Sequence, residues 1–412
     1  MSFERISVIG LGYIGLPTAA IIASRGVDVI GVEVNQHTVD IINQGEIHIV
    51  EPDLDIVVRS SVQTGKLKAT ITPEPADAFM IAVPTPFKDN HQPDLSYIEA
   101  AAKAIAPVLE KGNLVILEST SPVGTTEKIA KWLEQARPDL TFPLDGRENA
   151  DINVAHCPER VLPGYVLQEL VSNDRVVGGL TTACAKKAVT LYELFVKGDC
   201  LITNARTAEM AKLTENSFRD VNIAFANELS LICDTLNINV WELVKLANRH
   251  PRVNILKPGP GVGGHCIAVD PWFIVSSDPA NAKIIRTARE VNDSKPLYVV
   301  DRVREAAERF KKPVIACLGL SFKADIDDLR ESPAMNIVEQ LTTSIDGEIL
   351  VVEPNINDLP SSLEGKVRKT ELNKAINGAD IVLLLVDHKE FRDIQADMLH
   401  NCICIDTRGI WE

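Results

Sequence analysis

Short runs of almost wholly apolar residues recur along the N-terminal part of the chain, at 5–9, 28–32, 79–83 and 114–117. Between them, apolar positions are spaced three and four apart, as in 98–109 and 126–136. The first pattern predicts buried strands and the second predicts amphipathic helices. Buried strands that alternate with helices indicate a parallel sheet covered on both faces, so we predict the α/β class here.

A long segment from residue 206 to about residue 236 contains neither proline nor glycine. Its apolar residues follow a helical spacing: Met210, Leu213, Phe218, Val221, Phe225, Leu229 and Ile232. About 30 helical residues would form a rod of about 45 Å. Such a rod can join two domains and still offer a face to a second subunit, but a core helix within one domain remains an alternative.

A second series of strands and helices begins after Lys311-Lys312-Pro313, with apolar runs at 314–318, 348–352, 381–386 and 403–405. We therefore predict two Rossmann-like doubly wound domains joined by a helical middle with a long central helix. The predicted boundaries are 1–203 for the N-terminal domain, 204–300 for the central domain and 301–412 for the C-terminal domain.

Composition and charge narrow the classes of function. The 412 residues are 45% hydrophobic and 24% charged, which is ordinary for a globular protein. No apolar run approaches the roughly 18 residues of a membrane span, and a strand begins almost at the first residue, where a secretion signal would lie. The eight cysteines form no CxxC pair, which favours reduced thiols in the cytoplasm. The formal net charge of −15 argues against a nucleic-acid partner.

A glycine fingerprint, Gly10-Leu11-Gly12-Tyr13-Ile14-Gly15, follows the first predicted strand and opens a helix. Its first glycine makes the turn, its second lets a pyrophosphate approach, and its third lets helix and strand pack closely. Glu33 ends the second strand, where a carboxylate suits a ribose 2′-hydroxyl and repels a 2′-phosphate. The pattern favours NAD over NADP, and a glycine turn without a ligand is the alternative.

A second glycine run, from Gly259 to Gly264, ends two residues before Cys266, and Asp270 follows. Successive backbone N–H groups in such a run can form an anion-binding nest. A thiol beside a nest can have its pKa lowered, and the thiolate is the reactive form. Together with a nicotinamide fingerprint, this cysteine indicates that an aldehyde is trapped and oxidised again to an acid.

Other candidate groups are less specific. Thr85 and Thr120 lie in hydroxyl-rich loops after predicted strands, where ligands bind in doubly wound sheets. Lys212 and Asn216 share one face of the long helix, either as functional groups or as part of an exposed charged stripe. Glu159, in Cys157-Pro158-Glu159-Arg160, is either a base for a water molecule or one half of an ion pair.

Basic residues suggest a focused anion site within an acidic chain. They lie at Arg249-His250-Pro251-Arg252 and at Lys323, Arg330 and Arg408, although scattered surface arginines are the alternative. The eight histidines show no HxH or HExxH spacing, so we expect no metal.

At this point the chain resembles the UDP-glucose/GDP-mannose dehydrogenase family over essentially its whole length. The resemblance is carried by G-x-G-x-G-G-x-C-x-x-x-D from Gly259 to Asp270, Lys212-x-x-x-Asn216, the Cys157–Arg160 motif and the N-terminal fingerprint. Residues 249–254, 258–270 and 322–332 are most similar to the bacterial UDP-N-acetyl-D-mannosamine 6-dehydrogenases of this family.

The resemblance implies a four-electron oxidation of UDP-N-acetyl-D-mannosamine at C6 to UDP-N-acetyl-D-mannosaminuronate. It also implies NAD as cofactor, a homodimer, and a role in surface polysaccharides such as enterobacterial common antigen. Cys266 would form a thiohemiacetal and then a thioester. Lys212 and Asn216 would stabilise the oxyanion, with Asp270 fixing the lysine or a water. Glu159 would be the base for hydrolysis, with Thr120 placing the water.

The resemblance also implies two sets of binding residues. Those for the cofactor are Gly10, Gly12, Tyr13, Ile14, Gly15, Glu33, Thr85, Thr126 and Arg330. Those for the nucleotide sugar are Arg160, Val161, Lys212, Asn216, Arg219, His250, Arg252, Gly263, Lys323 and Arg408. The chain departs from the family at Glu33, where aspartate is usual. The C-terminal domain has Gly319-Leu320-Ser321-Phe322-Lys323 in place of a fingerprint, which fits UDP binding.

Several alternatives remain open on the sequence. UDP-N-acetylglucosamine and UDP-glucose are the alternative substrates within the family. A two-electron hydroxyacid dehydrogenase would also combine a Rossmann domain with a Lys and an Asn four apart on a helix, but it needs no cysteine beside a glycine nest. A non-catalytic NAD-binding regulator would leave Cys266 and Lys212 without a task.

Overall fold

The computed structural model of the chain describes residues 3–88, 91–162, 164–264 and 266–411. These residues divide into two compact units. The first unit comprises Met1–Glu215 and Trp272–Asp278, and the second comprises Asn216–Pro271 and Pro279–Glu412.

The first unit is built on an eight-stranded sheet and a short antiparallel hairpin. Its strands are β1 (Arg5–Ile9), β2 (Asp28–Val32), β3 (Leu67–Thr70), β4 (Ala78–Ile81), β5 (Phe87–Lys88), β6 (Gln92–Pro93), β7 (Leu114–Leu117), β8 (Asn153–His156), β9 (Arg175–Gly179) and β10 (Cys200–Asn204). The sheet has the order β10-β9-β8-β7-β4-β1-β2-β3, and β5 pairs with β6. All neighbours in the sheet are parallel except β8 and β9.

Helices cover both faces of this sheet. They are α1 (Gly15–Ser24), α2 (Gln36–Asn43), α3 (Leu54–Gln63), α4 (Ser96–Ile105), α5 (Thr125–Ala136), α6 (Val166–Ser172) and α7 (Thr182–Tyr192). Alternate residues of β1 point to opposite faces, so Ile6 and Val8 enter one apolar cluster and Ile9 enters the other. Burial of both faces explains why β4 and β7 are apolar at every position.

The predicted long helix is confirmed as α8 (Ala205–Leu236), which has 32 residues. The chain passes from the first unit to the second within this helix. The absence of proline and glycine from its interior lets the hydrogen-bonded ladder continue without a break.

The second unit contains a five-stranded sheet that is parallel throughout, in the order β13-β12-β11-β14-β15. Its strands are β11 (Val314–Leu318), β12 (Glu348–Val352), β13 (Arg368–Lys369), β14 (Ile381–Leu384) and β15 (Ile403–Asp406). Its further helices are α9 (Val240–Ala247), α10 (Asp270–Ser277, which continues into the first unit), α11 (Lys283–Ala307), α12 (Pro333–Ser344), α13 (Leu372–Gly378) and α14 (Lys389–Arg392). The predicted fold class, with two Rossmann-like sheets and a long helix, is confirmed. Within the described part of the chain, no helix combines the length and the apolar character that a bilayer crossing requires.

Candidate active-site residues in the two units

Each of the three glycines in the turn after β1 is required, or favoured, for a different physical reason. Gly10 has φ +91, a conformation that favours glycine. A side-chain carbon on Gly15 would lie 1.8 Å from the carbonyl oxygen of Gly10, so the close contact of helix and turn requires glycine. A side-chain carbon on Gly12 would meet no heavy atom within 4 Å, which leaves open space at the position predicted for a pyrophosphate.

Glu33 fastens this turn to the end of β2. Its Oε2 accepts a hydrogen bond from the backbone N–H of Leu11 at 3.1 Å, and its Oε1 accepts one from Asn35 at 3.2 Å. The carboxylate is partly buried. The longer side chain of glutamate therefore still places its charge at the glycine turn.

The residues of this turn fit a dinucleotide. Ile14 is the N-cap of α1 and supplies no side-chain cap, so the first helical N–H groups have no side-chain acceptor there. The hydroxyl oxygen of Thr85 is buried and has no hydrogen-bond partner among the described residues. Tyr13 is 42% exposed beside the turn.

Thr126 is held by a side chain that the sequence did not single out. Its hydroxyl donates to Glu209 Oε1 at 2.6 Å and its N–H donates to the same oxygen at 2.8 Å. The N–H of Gly124 donates to Glu209 Oε2 at 2.6 Å. Glu209 thus caps the start of α5, and burial raises the pKa of its carboxyl. The nearby Thr120 is partly buried.

Glu159 is one half of a buried ion pair. Its Oε2 accepts from Arg175 at 2.6 Å, and its Oε1 accepts from the backbone N–H of Arg160 at 2.6 Å. The guanidinium of Arg160 instead pairs with Glu215 at 2.7 Å. The partner of Glu159 is therefore a strand residue 16 positions away and not the adjacent arginine. Val161 packs against the apolar core of this unit.

Glu118, directly after β7, is the most perturbed carboxyl near Glu159. The phenol of Tyr192 donates to its Oε1 at 2.7 Å, whereas its buried Oε2 has no partner among the described residues. Burial first, and the charge of Glu159 second, raise the pKa of Glu118 to about 7. Lys212, on α8, is half-buried, although its apolar sequence neighbours suggested a buried position.

In the second unit, the Cys266 loop is held at its C-terminal end by α8. The side-chain amide of Asn216 donates to Asp270 Oδ2, and both residues are buried. The N–H of Asp270 donates to the carbonyl oxygen of Cys266 at 2.9 Å. The side chain of Cys266 is exposed. The structure therefore brings together three of the predicted catalytic residues, Asn216, Asp270 and Cys266, within one unit.

The N-terminal end of the loop is held by a second asparagine of α8. Asn227 Oδ1 accepts from the N–H of Gly259 at 2.9 Å, and its amide donates to Asn292 Oδ1 at 2.9 Å. Asn292 in turn donates to Asp220 Oδ1 at 2.8 Å, and Arg289 donates to the same oxygen at 2.6 Å. All four side chains are buried, so the loop begins at a fully internal polar network.

The glycines of this loop lie against elements of the C-terminal sheet. A side-chain carbon on Gly263 would lie 2.4 Å from the carbonyl oxygen of Glu331. One on Gly259 would lie 2.8 Å from the Arg408 guanidinium, and one on Gly264, which has φ +84, would lie 3.0 Å from the ring of Phe322. Contact with the backbone excludes a side chain at Gly263, and the positive φ strains one at Gly264, whereas at Gly259 the end of the Arg408 side chain can move aside.

A narrow cleft lies beside the loop. It is lined by Pro260, Gly261, Ser321, Phe322, Lys323, Pro333, Ala334, Leu385, Val386, Asp387 and Arg408. Arg408 donates to Asp387 at 2.7 Å. Burial alone would raise the pKa of Asp387, but the charge of Arg408, the hydrogen bond from it and the charge of Arg392 together hold that pKa below its usual value.

Two of the predicted nucleotide-sugar residues, Lys323 and Arg408, therefore meet the glycine loop in one cleft. Arg219, His250 and Arg252 are exposed and are not among the described residues that line it. Arg330, predicted to contact the cofactor, makes a bidentate ion pair with Asp328.

The turn after β11 repeats the geometry of the turn after β1. Gly319 has φ +95, and its N–H donates to Val352 at 2.8 Å, as that of Gly10 does to Val32. Glu353 follows β12 as Glu33 follows β2, and it accepts from the N–H of Leu320 at 2.7 Å. In each sheet, therefore, a glutamate after the second strand accepts a hydrogen bond from the turn that follows the first strand.

His388 closes this second carboxylate off. The N–H of Asp325 donates to His388 Nδ1 at 2.9 Å, so Nε2 carries the proton and donates to Glu353 at 3.0 Å. Both side chains are buried. Glu33 in the first unit is partly accessible, whereas Glu353 at the matching position of the second unit is buried. A buried carboxylate is unlike one that binds a ribose.

Among the described residues, no group of three or more His, Cys, Asp or Glu side chains is placed to hold a metal ion. Sequence reasoning did not identify Glu118, Arg175, Glu209, Asn227 or Glu353. Of these, only Glu353 could have been predicted from the sequence, because it follows β12 directly as Glu33 follows β2.

Comparison with known proteins covers the whole chain. The three profiles of the UDP-glucose/GDP-mannose dehydrogenase family match in order: the NAD binding domain at 4–196, the central domain at 206–294 and the UDP binding domain at 316–412.

Individual relatives agree with this assignment. An NDP-N-acetyl-D-galactosaminuronic acid dehydrogenase of Ralstonia nicotianae is 66% identical, with 100% of this chain and 97% of the relative covered. A UDP-N-acetyl-D-mannosamine dehydrogenase of Escherichia coli is 62% identical, with both chains covered completely. The solved UDP-D-ManNAc dehydrogenase of Pyrococcus horikoshii is 42% identical, with a TM-score of 0.88 over 99% of this chain and 96% of that one. The chain belongs to the UDP-glucose/GDP-mannose dehydrogenase family and is an NAD-dependent oxidoreductase with a UDP binding domain.

Proposed function

We propose that this enzyme oxidises UDP-N-acetyl-D-mannosamine at C6 to UDP-N-acetyl-D-mannosaminuronate in two NAD-dependent steps, through a covalent bond to Cys266. The observation that carries the proposal is the Cys266 loop, which is anchored at both ends and borders the cleft with Lys323 and Arg408. A basic cleft suits a nucleotide diphosphate, and an exposed thiol on the loop that borders the cleft suits attack on a bound sugar.

Bound NAD supplies the hydride acceptor, so one turnover with two hydride transfers yields two molecules of NADH. In the first step the C6 alcohol gives its hydroxyl proton to water and its hydride to the acceptor, and becomes an aldehyde. Lys212 and Asn216 stabilise the negative charge on the C6 oxygen. Asp270 holds the amide of Asn216, which fixes the direction in which that donor points.

The Cys266 thiolate then adds to the aldehyde carbon and forms a sulfur–carbon bond. Loss of the second hydride turns this thiohemiacetal into a thioester. Water attacks the thioester carbon, its proton passes to Glu159, and the sulfur–carbon bond breaks to release the acid and the thiolate. Thr120 orients that water. In this assignment Arg175, which pairs with Glu159 at 2.6 Å, fixes the position of the carboxylate that accepts the proton.

A second substrate has support from a relative. The Ralstonia nicotianae protein, 66% identical, is named for an N-acetyl-D-galactosaminuronic acid. The N-acetyl-D-galactosamine analogue is therefore the second candidate substrate, ahead of UDP-N-acetylglucosamine and UDP-glucose.

Turnover of the purified enzyme with these four UDP-sugars tests the assignment. We expect the highest kcat/KM with UDP-N-acetyl-D-mannosamine and two NADH for each sugar consumed. One NADH for each substrate molecule would instead support a two-electron dehydrogenase, and fastest turnover of UDP-glucose would overturn the preference for an N-acetylated sugar.

We further propose a homodimer that works in the cytoplasm. Phe218, Phe225 and Ile232 are exposed on α8 at intervals of seven residues, so they form one apolar stripe on the helix. The family resemblance and this stripe support a second copy of the chain as its partner.

The proposed product is a nucleotide-activated uronic acid, which fits the supply of surface polysaccharides of the enterobacterial common antigen type. Loss of the uronic acid from the polymer in a deletion strain, restored by the wild type and not by Cys266→Ala, would support this role. An unchanged polymer would contradict it.

A further inference from the structure

Glu118 is a buried carboxyl for which the proposed reaction has no task. Its side chain is 3% exposed, the Tyr192 phenol donates to Oε1 at 2.7 Å, and Oε2 has no partner among the described residues. An ionised carboxylate with an unsatisfied buried oxygen is costly, so this environment favours the neutral acid. A group of this kind is rarely retained without a purpose.

The strands bring Glu118 into one cluster with Glu159. Leu117 of β7 pairs with His156 of β8, so Glu118 follows one strand end and the Cys157 to Glu159 segment follows the adjacent one. Arg175 donates to Glu159 at 2.6 Å, and its guanidinium carbon lies 5.6 Å from the centre of the Tyr192 ring. Tyr192 in turn binds Glu118. Arg175 thus binds one carboxyl directly and lies beside the tyrosine that binds the other.

The other titratable groups of the cluster keep one charge state near neutrality. Burial raises the pKa of the Cys157 thiol and that of the Tyr192 phenol, so both stay protonated. Burial lowers the pKa of His156 to about 3, so this histidine stays neutral. The charge of Glu159 raises the pKa of Arg175, although burial of the guanidinium opposes it, so Arg175 stays charged. For Glu118, burial and the Glu159 charge raise the pKa, while Tyr192 and Arg175 oppose them.

We propose that Glu118 is a positioning residue whose charge state sets how tightly Arg175 holds Glu159. The proposal rests on the proposed function, which gives Glu159 the proton of the hydrolytic water. While Glu118 is neutral, Arg175 pairs with Glu159 alone. When Glu118 loses its proton to solvent, its negative charge competes for the same guanidinium, so the hold on Glu159 loosens and that carboxylate is freer to turn towards the hydrolytic water. Thioester hydrolysis then becomes faster as pH rises through neutrality.

Infrared difference spectroscopy of the enzyme with neither substrate nor NAD tests the titration. We expect the C=O band of a protonated buried carboxyl to disappear between about pH 6 and pH 8 in the wild type. The band should be absent from the Glu118→Gln variant. The matched control is Glu99→Gln, an exposed glutamate of the same unit that pairs only with Lys103 among the recorded contacts. This control should titrate as the wild type does.

Single-turnover hydrolysis tests the link to Glu159. We expect the wild-type rate to rise several-fold through neutral pH, and the Glu118→Gln rate to stay flat at the low-pH level, with Glu118→Asp restoring part of the rise. A Glu118→Gln profile that still rises as the wild type does would overturn the proposal.

A further variant tests the proposal even if Glu118→Gln does not fold. Tyr192→Phe removes the hydroxyl that binds Glu118, so the band should titrate at higher pH, and an unchanged midpoint would count against the coupling. If no UDP-sugar yields acid, the proposed function fails. Loss of the infrared C=O band near neutral pH would then still show that Glu118 titrates there.

Discussion

Asn227 and Gly259 lie 32 residues apart in the sequence, and the backbone N–H of Gly259 donates to the Asn227 side chain at 2.9 Å. Asn216, on the same helix, donates to Asp270. One helix therefore holds both ends of the loop that carries Cys266. Asn227 continues into a buried hydrogen-bond network through Asn292 and Asp220, so this anchor is stiffer than a single surface bond.

Replacement of Asn227 by alanine should therefore disturb the reacting thiol without touching the cofactor site. The buried N–H of Gly259 would lose its acceptor, at a cost of about 1–3 kcal/mol. We expect kcat to fall about 10- to 100-fold while the Kd of NAD stays unchanged. Steady-state kinetics and NAD titration provide the measurement, together with the alkylation rate of Cys266.

The matched control for that variant is Asn222→Ala. The Asn222 side chain lies on the same helix and donates only to the carbonyl oxygen of Phe218 among the recorded contacts. A kcat for Asn227→Ala close to that of this control would show that the anchor does not position the loop.

Glu33 should govern the choice between NAD and NADP. Its carboxylate is fixed by the N–H groups of Leu11 and Asn35, where it meets a ribose hydroxyl and repels a phosphate. Glu33→Ser should raise the KM of NAD about tenfold and permit turnover with NADP. Glu33→Asp, which keeps the carboxylate, should keep the NAD preference. If the ratio of kcat/KM with NAD to kcat/KM with NADP were the same in the wild type and in Glu33→Ser, this role would be contradicted.

Glu353 should make the second unit sensitive to acid. Burial would raise the pKa of Glu353, but hydrogen bonds from His388 and from the N–H groups of Leu320 and Asn355 prevail and lower it to about 2. A pKa that is lower in the folded state stabilises the fold above the ordinary value near 4.5, and this contribution disappears as pH falls from there towards 2.

The Glu353→Gln variant should therefore be less stable than the wild type at pH 7, by an amount on the order of 3 kcal/mol. The difference should shrink as pH is lowered below about 4. Urea denaturation at several pH values measures it, with the exposed Glu364→Gln as the control. A difference that stayed constant over this pH range would contradict the role of the ionised carboxylate.

The apolar stripe on α8 should be buried between two copies of the chain. Phe225 is 52% exposed within one copy, and an aspartate there would place a charge in the proposed interface. Phe225→Asp should halve the mass found by light scattering after gel filtration. Ile71→Asp, at an equally exposed position of the first unit, should leave the mass unchanged. A monomeric wild type, or a Phe225→Asp variant of undiminished mass, would exclude this interface.

The sequence was sufficient for the sheets and the long helix because their signals are local. Apolar runs such as 5–9 and 314–318 became β1 and β11, and the proline-free segment became α8. The motif Cys157–Arg160 shows the limit of such reasoning. It offered an ion pair for Glu159, but the adjacent Arg160 points to Glu215 and the buried partner is Arg175.

The residues that hold the Cys266 loop were likewise not predictable, because their role depends on contacts between segments that are distant in the sequence. Asn227 and Asn292 sit in helices where amides are ordinary surface residues, and only their packing gives them a function. Glu118 carries no motif of its own, since its perturbation arises from strands and helices that meet after folding.

Intact-protein mass spectrometry of the enzyme quenched during turnover tests the covalent mechanism most directly. The measurement uses UDP-N-acetyl-D-mannosamine and NAD with the wild type, with Glu159→Gln to slow hydrolysis, and with Cys266→Ala as the control. We predict a sugar nucleotide adduct on Cys266 that accumulates in Glu159→Gln and is absent from Cys266→Ala. The absence of any adduct together with free aldehyde as the final product, or acid formation by Cys266→Ala, would contradict the account.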